Sequence, residues 1–166
     1  MTQDTWEKYV ALTEATWRTD TRQRERERAK LGLLGSCGEF AALVKRHHYM
    51  GRQVEPCALI DKLGDILWYL ACLCRLYQWE LPEQSSYNGT AMTVYELTLD
   101  LVGMAYRLVS LPVTSAHHEA LCERAAGVRH LVGELGSRCG VTLDEVMLQS
   151  RYPRGYREAQ TKEETL

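Results

Sequence analysis

LIDKLGDILWYLACLCRLY, residues 59–77, is the segment around which the rest of the chain is expected to pack. Its apolar residues recur at the spacing of an α-helix, and residues 66–74 are apolar without interruption. Almost no face of such a helix can stay in water, so the pattern predicts a central helix. Asp61, Lys62 and Asp65 lie just before its most apolar part. Charges in that position are costly unless they are paired, hydrogen-bonded or bound to a metal, so we expect them to mark a functional site.

The composition restricts the class of protein. The chain has 166 residues and a formal charge of −2, so no overall basic field favours a nucleic acid or a membrane as partner. With four prolines and no long alternating pattern, it is predicted to be all-α. Six cysteines, none of them in a CxxC pair, are typical of a reduced cytoplasmic protein. We expect no signal peptide and no membrane-spanning segment.

Helical spacing elsewhere predicts the remaining elements of a bundle. The predicted helices cover residues 4–17, 31–48, 92–111 and 115–139, with a short helix after Thr142 as its N-cap. Residues 19–30, TDTRQRERERAK, alternate in charge and are interpreted as a solvated helix start rather than a binding arm. Gly51 and Pro56 separate the 31–48 helix from the central one, so these two helices are predicted to form an antiparallel hairpin.

One domain is expected over residues 1–166, with the hairpin at 31–81 and a second helical half at 92–150. The two halves show a weak internal repeat, because GEFAALV at 38–44 aligns with GMAYRLV at 103–109. In that alignment Met104 stands opposite Glu39. The second half would therefore complete the bundle without carrying the chemistry.

Carboxylates on the hairpin are candidates for a metal site. Antiparallel packing can bring Glu39 and Asp65 to face each other across the bundle interior, and Asp61 lies on the same side of its helix as Asp65. Mg²⁺ and Mn²⁺ prefer several carboxylate oxygens held in this way. Lys62 shares part of that face, and its ammonium group is the alternative occupant, bound to Glu39 or Asp65 in place of a metal.

Three segments resemble a known family. LGLLGSCGEFAALVK at 31–45, DKLGDILWYLACL at 61–73 and, more loosely, RYPRGY at 151–156 are similar to the MazG family of all-α nucleoside triphosphate pyrophosphohydrolases. Members of that family carry GLxGExGE on one helix and EELGDxLWYL on the next. The resemblance implies a MazG-like helical bundle that forms a homodimer. It also implies Mg²⁺-dependent hydrolysis of a nucleoside triphosphate to the monophosphate and pyrophosphate.

The family's acidic motif is only partly present. Glu39 matches the second acid of its ExxE, Asp65 the acid of its ExxD, and Asp61 the additional acid before that motif. Ser36 and Lys62 stand where the family has the two other glutamates. The resemblance thus implies Glu39, Asp61 and Asp65 as metal ligands. We predict Glu39, Asp65 and Lys62 as the catalytic set, with Lys62 as a candidate partner of a phosphate. The two substitutions favour a protein that has kept nucleotide recognition but lost turnover.

Substrate contacts are predicted outside the acidic motif. Lys45 and Arg46 follow Glu39 where the family has basic residues, and they are assigned to phosphate binding. Trp17 and Trp6 are candidates for stacking on a base, and Arg151 belongs to the segment that resembles the family's RYP. Two hypotheses stay open: a nucleotide pyrophosphohydrolase, or a catalytically inactive protein that binds nucleotides or acts as a helix-bundle interaction module.

Overall fold

The computed structural model describes residues 3–16, 21–53, 55–87 and 92–149. Within these residues the chain is helical and contains no strand, which confirms the all-α prediction. The Ser115–His117 segment forms a single 3₁₀ turn before the fifth helix. The helices, in chain order, are α1 (Gln3–Thr16), α2 (Arg22–Met50), α3 (Pro56–Tyr77), α4 (Val94–Ser110), α5 (His118–Arg138) and α6 (Leu143–Gln149).

α3 is the central helix, as its sequence predicts. It packs against α1, α2, α5 and α6. Every residue from Ile66 to Cys74 is buried except Tyr69, which is half-buried. A helix surrounded in this way has no polar face to offer to water, and this explains its uninterrupted apolar run.

Local signals in the sequence define the helix ends. Pro56 lies in the first turn of α3, where its missing N–H and fixed φ cost nothing. Gly51 ends α2 in the left-handed region at φ 58°, which only glycine adopts without strain, and its N–H donates to the carbonyl of Arg46. Thr142 and Glu145 form a reciprocal capping box before α6, so the predicted Thr142 cap is confirmed.

The charged run before Ala29 forms the first turns of α2. This helix begins at Arg22, after Thr21, whose hydroxyl oxygen accepts a hydrogen bond from the Arg24 N–H. The run is not wholly solvated, however. The guanidinium of Arg26 lies 4.7 Å from the centroid of the Tyr77 ring and donates to the carbonyl of Leu76 at 3.4 Å. The interpretation as a helix start is therefore confirmed from Arg22 onward, with Arg26 contacting the end of α3.

α2 and α3 form an antiparallel pair whose register follows from two contacts. Gly32 lies against the ring of Tyr69, so closely that a Cβ atom there would overlap the ring. Glu39 lies against Lys62. Gly32 and Glu39 are separated by the same number of residues as Lys62 and Tyr69, so the register holds along this length. Ser36 therefore falls level with Asp65 on the facing helix.

The remaining helices complete the packing. α4 packs against both α5 and α2, and α5 also contacts α3 and α6. The internal repeat and the division into residues 31–81 and 92–150 stay predictions. Within the described ranges, no helix is both long enough and apolar enough to cross a membrane.

Candidate functional site

The ammonium of Lys62 joins the two acids that the sequence singles out. Its Nζ lies 2.5 Å from Oε2 of Glu39 on α2 and 3.1 Å from Oδ2 of Asp65, one turn further along α3. Glu39 and Asp65 are thus brought together across the α2–α3 interface. They meet through a cation supplied by the chain itself.

This cluster of Glu39, Lys62 and Asp65 lies at the edge of the bundle. The side chain of Glu39 is 62% exposed, whereas those of Lys62 and Asp65 are 24% and 20% exposed. The expectation that Glu39 faces the bundle interior is therefore wrong. Its neighbours Ser36 and Phe40 are buried, so the inward face of α2 passes through those positions and leaves Glu39 on its flank.

The pKa values reflect this graded burial. Partial burial by itself lowers the pKa of Lys62, but the hydrogen bonds to Glu39 and Asp65 outweigh it, so the pKa lies above its ordinary value. Burial raises the pKa of Asp65, and the contact with Lys62 only partly offsets that effect. The pKa values of Lys62 and Asp65 can both be raised because the single ammonium is shared between Glu39 and Asp65. The charges of Asp61 and Glu39 raise the pKa of Asp65 further.

The residues present do not fit a divalent ion in this arrangement. Mg²⁺ requires near-octahedral oxygen ligands, and Mn²⁺ also prefers oxygen, whereas here an ammonium lies between the two nearest carboxylates. In the part of the chain that the structure describes, no three His, Cys, Asp or Glu side chains form a group able to hold a metal. The ligand set Glu39, Asp61 and Asp65 remains a prediction, and it requires Lys62 to move away.

Two of the residues predicted to bind substrate, Lys45 and Arg46, lie outside the cluster. Lys45 and Arg46 are exposed near the C-terminal end of α2, and among the described residues neither shares an ion pair or a side-chain hydrogen bond with the cluster. Trp17 and Arg151 fall outside the described residues. The candidacy of Trp6 for base stacking is wrong, because its ring is buried against Tyr9 and Arg129.

The cysteines offer no nucleophile in the core. All six are free, and Cys37, Cys72, Cys74 and Cys122 are buried. Burial raises the pKa of both the Cys37 and Cys72 thiols to about 12, which leaves almost no thiolate at neutral pH. These side chains are core residues, as their apolar surroundings in the sequence predict.

One buried charged residue was not predicted as a site residue. Arg129 on α5 is only 4% exposed, and His130 follows it. The signal in the sequence is a charge inside an apolar run, AAGVRHLV at residues 125–132. It was not recognised because a single charge in an amphipathic helix ordinarily marks its solvated face.

Comparison of this chain with protein-family models, with curated proteins and with solved structures finds no match. The resemblance to the MazG family therefore rests on sequence motifs alone, chiefly those of α2 and α3. The structure adds the position of Lys62 between the acids of those two helices.

Proposed function

We propose that this chain is a MazG-like helical protein that binds a nucleotide without hydrolysing it, because Lys62 occupies the place of a divalent ion. The single observation that supports the proposal is the pair of contacts from Lys62 Nζ to Glu39 and Asp65. An internal ammonium neutralises part of the acidic charge in every molecule, whether or not a metal is present in solution.

The chemistry of an ammonium explains why turnover would be lost. The family's reaction uses a metal-activated water, and a divalent ion activates water by lowering its pKa as a Lewis acid. An ammonium has no vacant orbital to accept a water oxygen. It carries half the charge of Mg²⁺ and offers only N–H donors. The cluster therefore has a charge balance similar to that of a metal-loaded site. It lacks the metal ion that would generate the nucleophile.

Phosphate recognition is assigned to Lys45 and Arg46. Both are exposed on α2, and they follow Glu39 by six and seven residues, which corresponds to about 10 Å along the helix axis. Exposed cations at that distance suit the phosphates of a nucleotide whose other end approaches the cluster. Trp17 is kept as a candidate contact to the base, and Arg151 as a candidate contact to the substrate.

The pyrophosphohydrolase is the second candidate function, and one observation favours it. The carboxylate of Glu39 is largely exposed, so its pair with Lys62 resembles a surface ion pair, which is worth about 1 kcal/mol or less. Binding of substrate and metal together would need only a modest free energy to displace Lys62. In that case Glu39, Asp61 and Asp65 would remain to hold one Mg²⁺ or Mn²⁺.

Two measurements separate the candidates. Nucleotide binding is measured by calorimetry in EDTA, and pyrophosphate release is measured with common and damaged nucleoside triphosphates in Mg²⁺ or Mn²⁺. We expect binding in EDTA and no release with any substrate. Release that is abolished by Asp65→Asn would establish the enzyme instead. If no nucleotide binds, nucleotide recognition is excluded and the helix-bundle interaction module remains.

A matched pair of variants tests the phosphate contacts. Lys45→Ala/Arg46→Ala removes two cations near the C-terminal end of α2, and Arg22→Ala/Arg24→Ala removes two from its N-terminal end. Loss of two charge-assisted contacts should weaken nucleotide binding at least tenfold in the first variant. Binding by the second should stay within about twofold of the unaltered protein, since neither of its two arginines is assigned to the nucleotide and only general electrostatic attraction for the ligand is reduced.

A homodimer is proposed as the assembly. Its support is an exposed apolar strip on α4 formed by Tyr95, Leu99 and Tyr106, which recur at helical spacing. Tyr49 from the end of α2 extends the strip, with its ring edge-on to that of Tyr95 at 6.3 Å. Light scattering should give twice the chain mass, and Leu99→Lys should give the single mass. A monomeric parent protein would contradict the assignment.

A further inference from the structure

Arg129 carries a buried charge at the opposite end of α3 from Lys62. Its residue is 4% exposed, and its guanidinium lies 5.4 Å from the centroid of the Trp6 ring. Cys74 is near enough to influence the pKa of Arg129, and Cys74 lies twelve positions after Lys62 on α3. At 1.5 Å per residue that is about 18 Å along the axis, so the two charged sites are distinct.

The hydrogen bonds of Arg129 are incomplete. Its Nη2 donates to the carbonyl of Pro82 at 2.5 Å and to that of Glu83 at 3.3 Å. Its Nη1 is buried and has no hydrogen-bond partner among the described residues. No described carboxylate lies within ion-pair distance of this guanidinium. Besides the two carbonyl oxygens, the charge of Glu83 acts on this guanidinium from beyond ion-pair distance. A buried cation with one unpaired nitrogen and no direct carboxylate contact is incompletely compensated, which is unusual in a native structure.

Within the described ranges, the next residue has a second buried nitrogen atom without a hydrogen-bond partner. His130 Nε2 is also buried and without a partner in the described part of the chain. Arg129 and His130 line the same cavity of about 350 Å³, together with Gln84, Ser85 and Leu143. Glu83 lines it too, but that residue is exposed and its carbonyl already holds Arg129. Two residues that line the cavity thus each have a buried nitrogen atom without a hydrogen-bond partner among the described residues.

We propose that this cavity binds the phosphoryl group of a small metabolite, with Arg129 Nη1 and His130 Nε2 as its donors. Unpaired donors and a buried positive charge are best matched by a ligand group that carries negative charge and several acceptor oxygens. Arginine stays protonated at neutral pH even when buried, and His130 donates to a phosphate oxygen when its Nε2 carries a proton. The volume falls in the range of small-molecule sites and is too small for a macromolecular surface.

The inference is independent of the proposed nucleotide site, because none of its residues belongs to α2 or to the first half of α3. Free phosphate and a phosphate monoester share the recognised chemistry. The probes are therefore inorganic phosphate, ribose 5-phosphate and, as a comparison, acetate at matched ionic strength. Binding is followed by the ¹⁵N resonances of the His130 ring, which report on this cavity and not on Lys45 or Arg46. Calorimetry gives the affinity.

We expect saturable shifts of the His130 resonances with both phosphate probes and none with acetate. If ribose 5-phosphate binds more tightly, the ligand is a phosphorylated metabolite. If inorganic phosphate binds more tightly, the ligand is the free ion. His130→Gln should weaken binding about tenfold, since it removes one hydrogen bond to a charged group. His118→Gln, on an exposed position of the same helix, should leave the affinity unchanged.

Arg129→Lys keeps the charge but loses the second terminal nitrogen, so it should also weaken binding about tenfold while the protein remains folded. If that variant does not fold, His130→Gln alone decides the question. Lys45→Ala/Arg46→Ala should bind phosphate at this cavity normally even if nucleotide binding is lost. The absence of shifts at 10 mM phosphate would overturn the proposal, and so would an affinity unaffected by His130→Gln. Arg129 would then serve only to anchor residues 82 and 83.

Discussion

Replacing Ser36 and Lys62 together by glutamate should convert the cluster into a metal site. Ser36 lies one turn before Glu39, and the helix register places it level with Asp65. The present cluster has two acids and one ammonium, a net charge of −1. Ser36→Glu/Lys62→Glu gives four carboxylates and a net charge of −4, shared equally between the two facing helices. Such a set of oxygens from neighbouring helices suits Mg²⁺ or Mn²⁺.

Without metal the double variant should be markedly less stable. Loss of the two Lys62 contacts costs about 1 to 2 kcal/mol in all, because Glu39 is exposed and only Asp65 is well covered. Repulsion adds to this, since two like charges about 4 Å apart repel by roughly 4 kcal/mol at an effective dielectric constant of 20. Because the Glu39 side chain is 62% exposed, water screens this repulsion down to about 1 kcal/mol, and we expect a total loss of about 3 kcal/mol. For a chain of this size it lowers the Tm by about 6 to 12 °C.

Metal should restore most of that loss. An ion present at one hundred times its Kd stabilises the folded state by about 2.7 kcal/mol. That free energy corresponds to a rise in Tm of about 5 to 10 °C. The assay is thermal denaturation followed by circular dichroism, in EDTA and across a Mn²⁺ titration. The unaltered protein should show no comparable rise.

The matched control is Ser36→Gln/Lys62→Gln, which has side chains of similar size and no charge at either position. It should be destabilised less in EDTA and should not respond to Mn²⁺. The reasoning is refuted if the four-carboxylate variant folds in EDTA and its Tm does not move in saturating Mn²⁺. In that case positions 36 and 62 do not face one cluster, and the register given by the Gly32 and Glu39 contacts is wrong.

Three further predictions concern stability. Because the pKa of Lys62 is raised in the folded state, its stabilisation is complete below about pH 10.4 and is lost as the pH rises through the folded pKa. The difference in unfolding free energy between the parent protein and Lys62→Met should therefore be constant from pH 7 to 9 and shrink above pH 10.4. Urea titrations measure this difference, and a difference that becomes larger above pH 10.4 would contradict the prediction. Gly32→Ala should be less stable than Gly35→Ala by at least about 1 kcal/mol. The new Cβ at position 32 collides with Tyr69, whereas nothing lies near a Cβ at position 35. Equal Tm values for the two variants would refute the close approach of Tyr69 to Gly32. Thr93→Ala breaks the capping box of α4 and should cost about 1 kcal/mol in urea denaturation, with Thr93→Ser as the conservative control; an unchanged midpoint would show that the cap does not contribute.

The helices follow from local sequence. Pro56, Gly51 and the capping residue Thr142 act within one turn of their own positions, so helix ends can be predicted without any knowledge of the fold. The uninterrupted apolar run of α3 likewise predicts burial on every side. That Lys62 and Asp65 share a face is also local, because three residues make nearly one helical turn.

Contacts between helices depend on tertiary packing. Gly32 lets the ring of Tyr69 approach α2, and that register, which periodicity does not specify, brings Glu39 to Lys62. The exposure of Glu39 could not be predicted either, because helical spacing does not tell which neighbour covers the flank of α2. A position on a helix is buried or exposed according to what packs beside it, and that partner is distant in sequence.

Arg26 and Arg129 show the same difference between what local sequence predicts and what tertiary packing decides. In the sequence both are charges on amphipathic helices, and such charges ordinarily face water. In the folded chain Arg26 packs on Tyr77, and Arg129 is enclosed by Trp6 and the carbonyls of residues 82 and 83. The sequence by itself determined which segments are helical and which acids stand near a lysine, since those properties depend on neighbours within a turn. The tertiary structure alone decided which charges are buried and what each one meets, because burial is set by segments far apart in the chain.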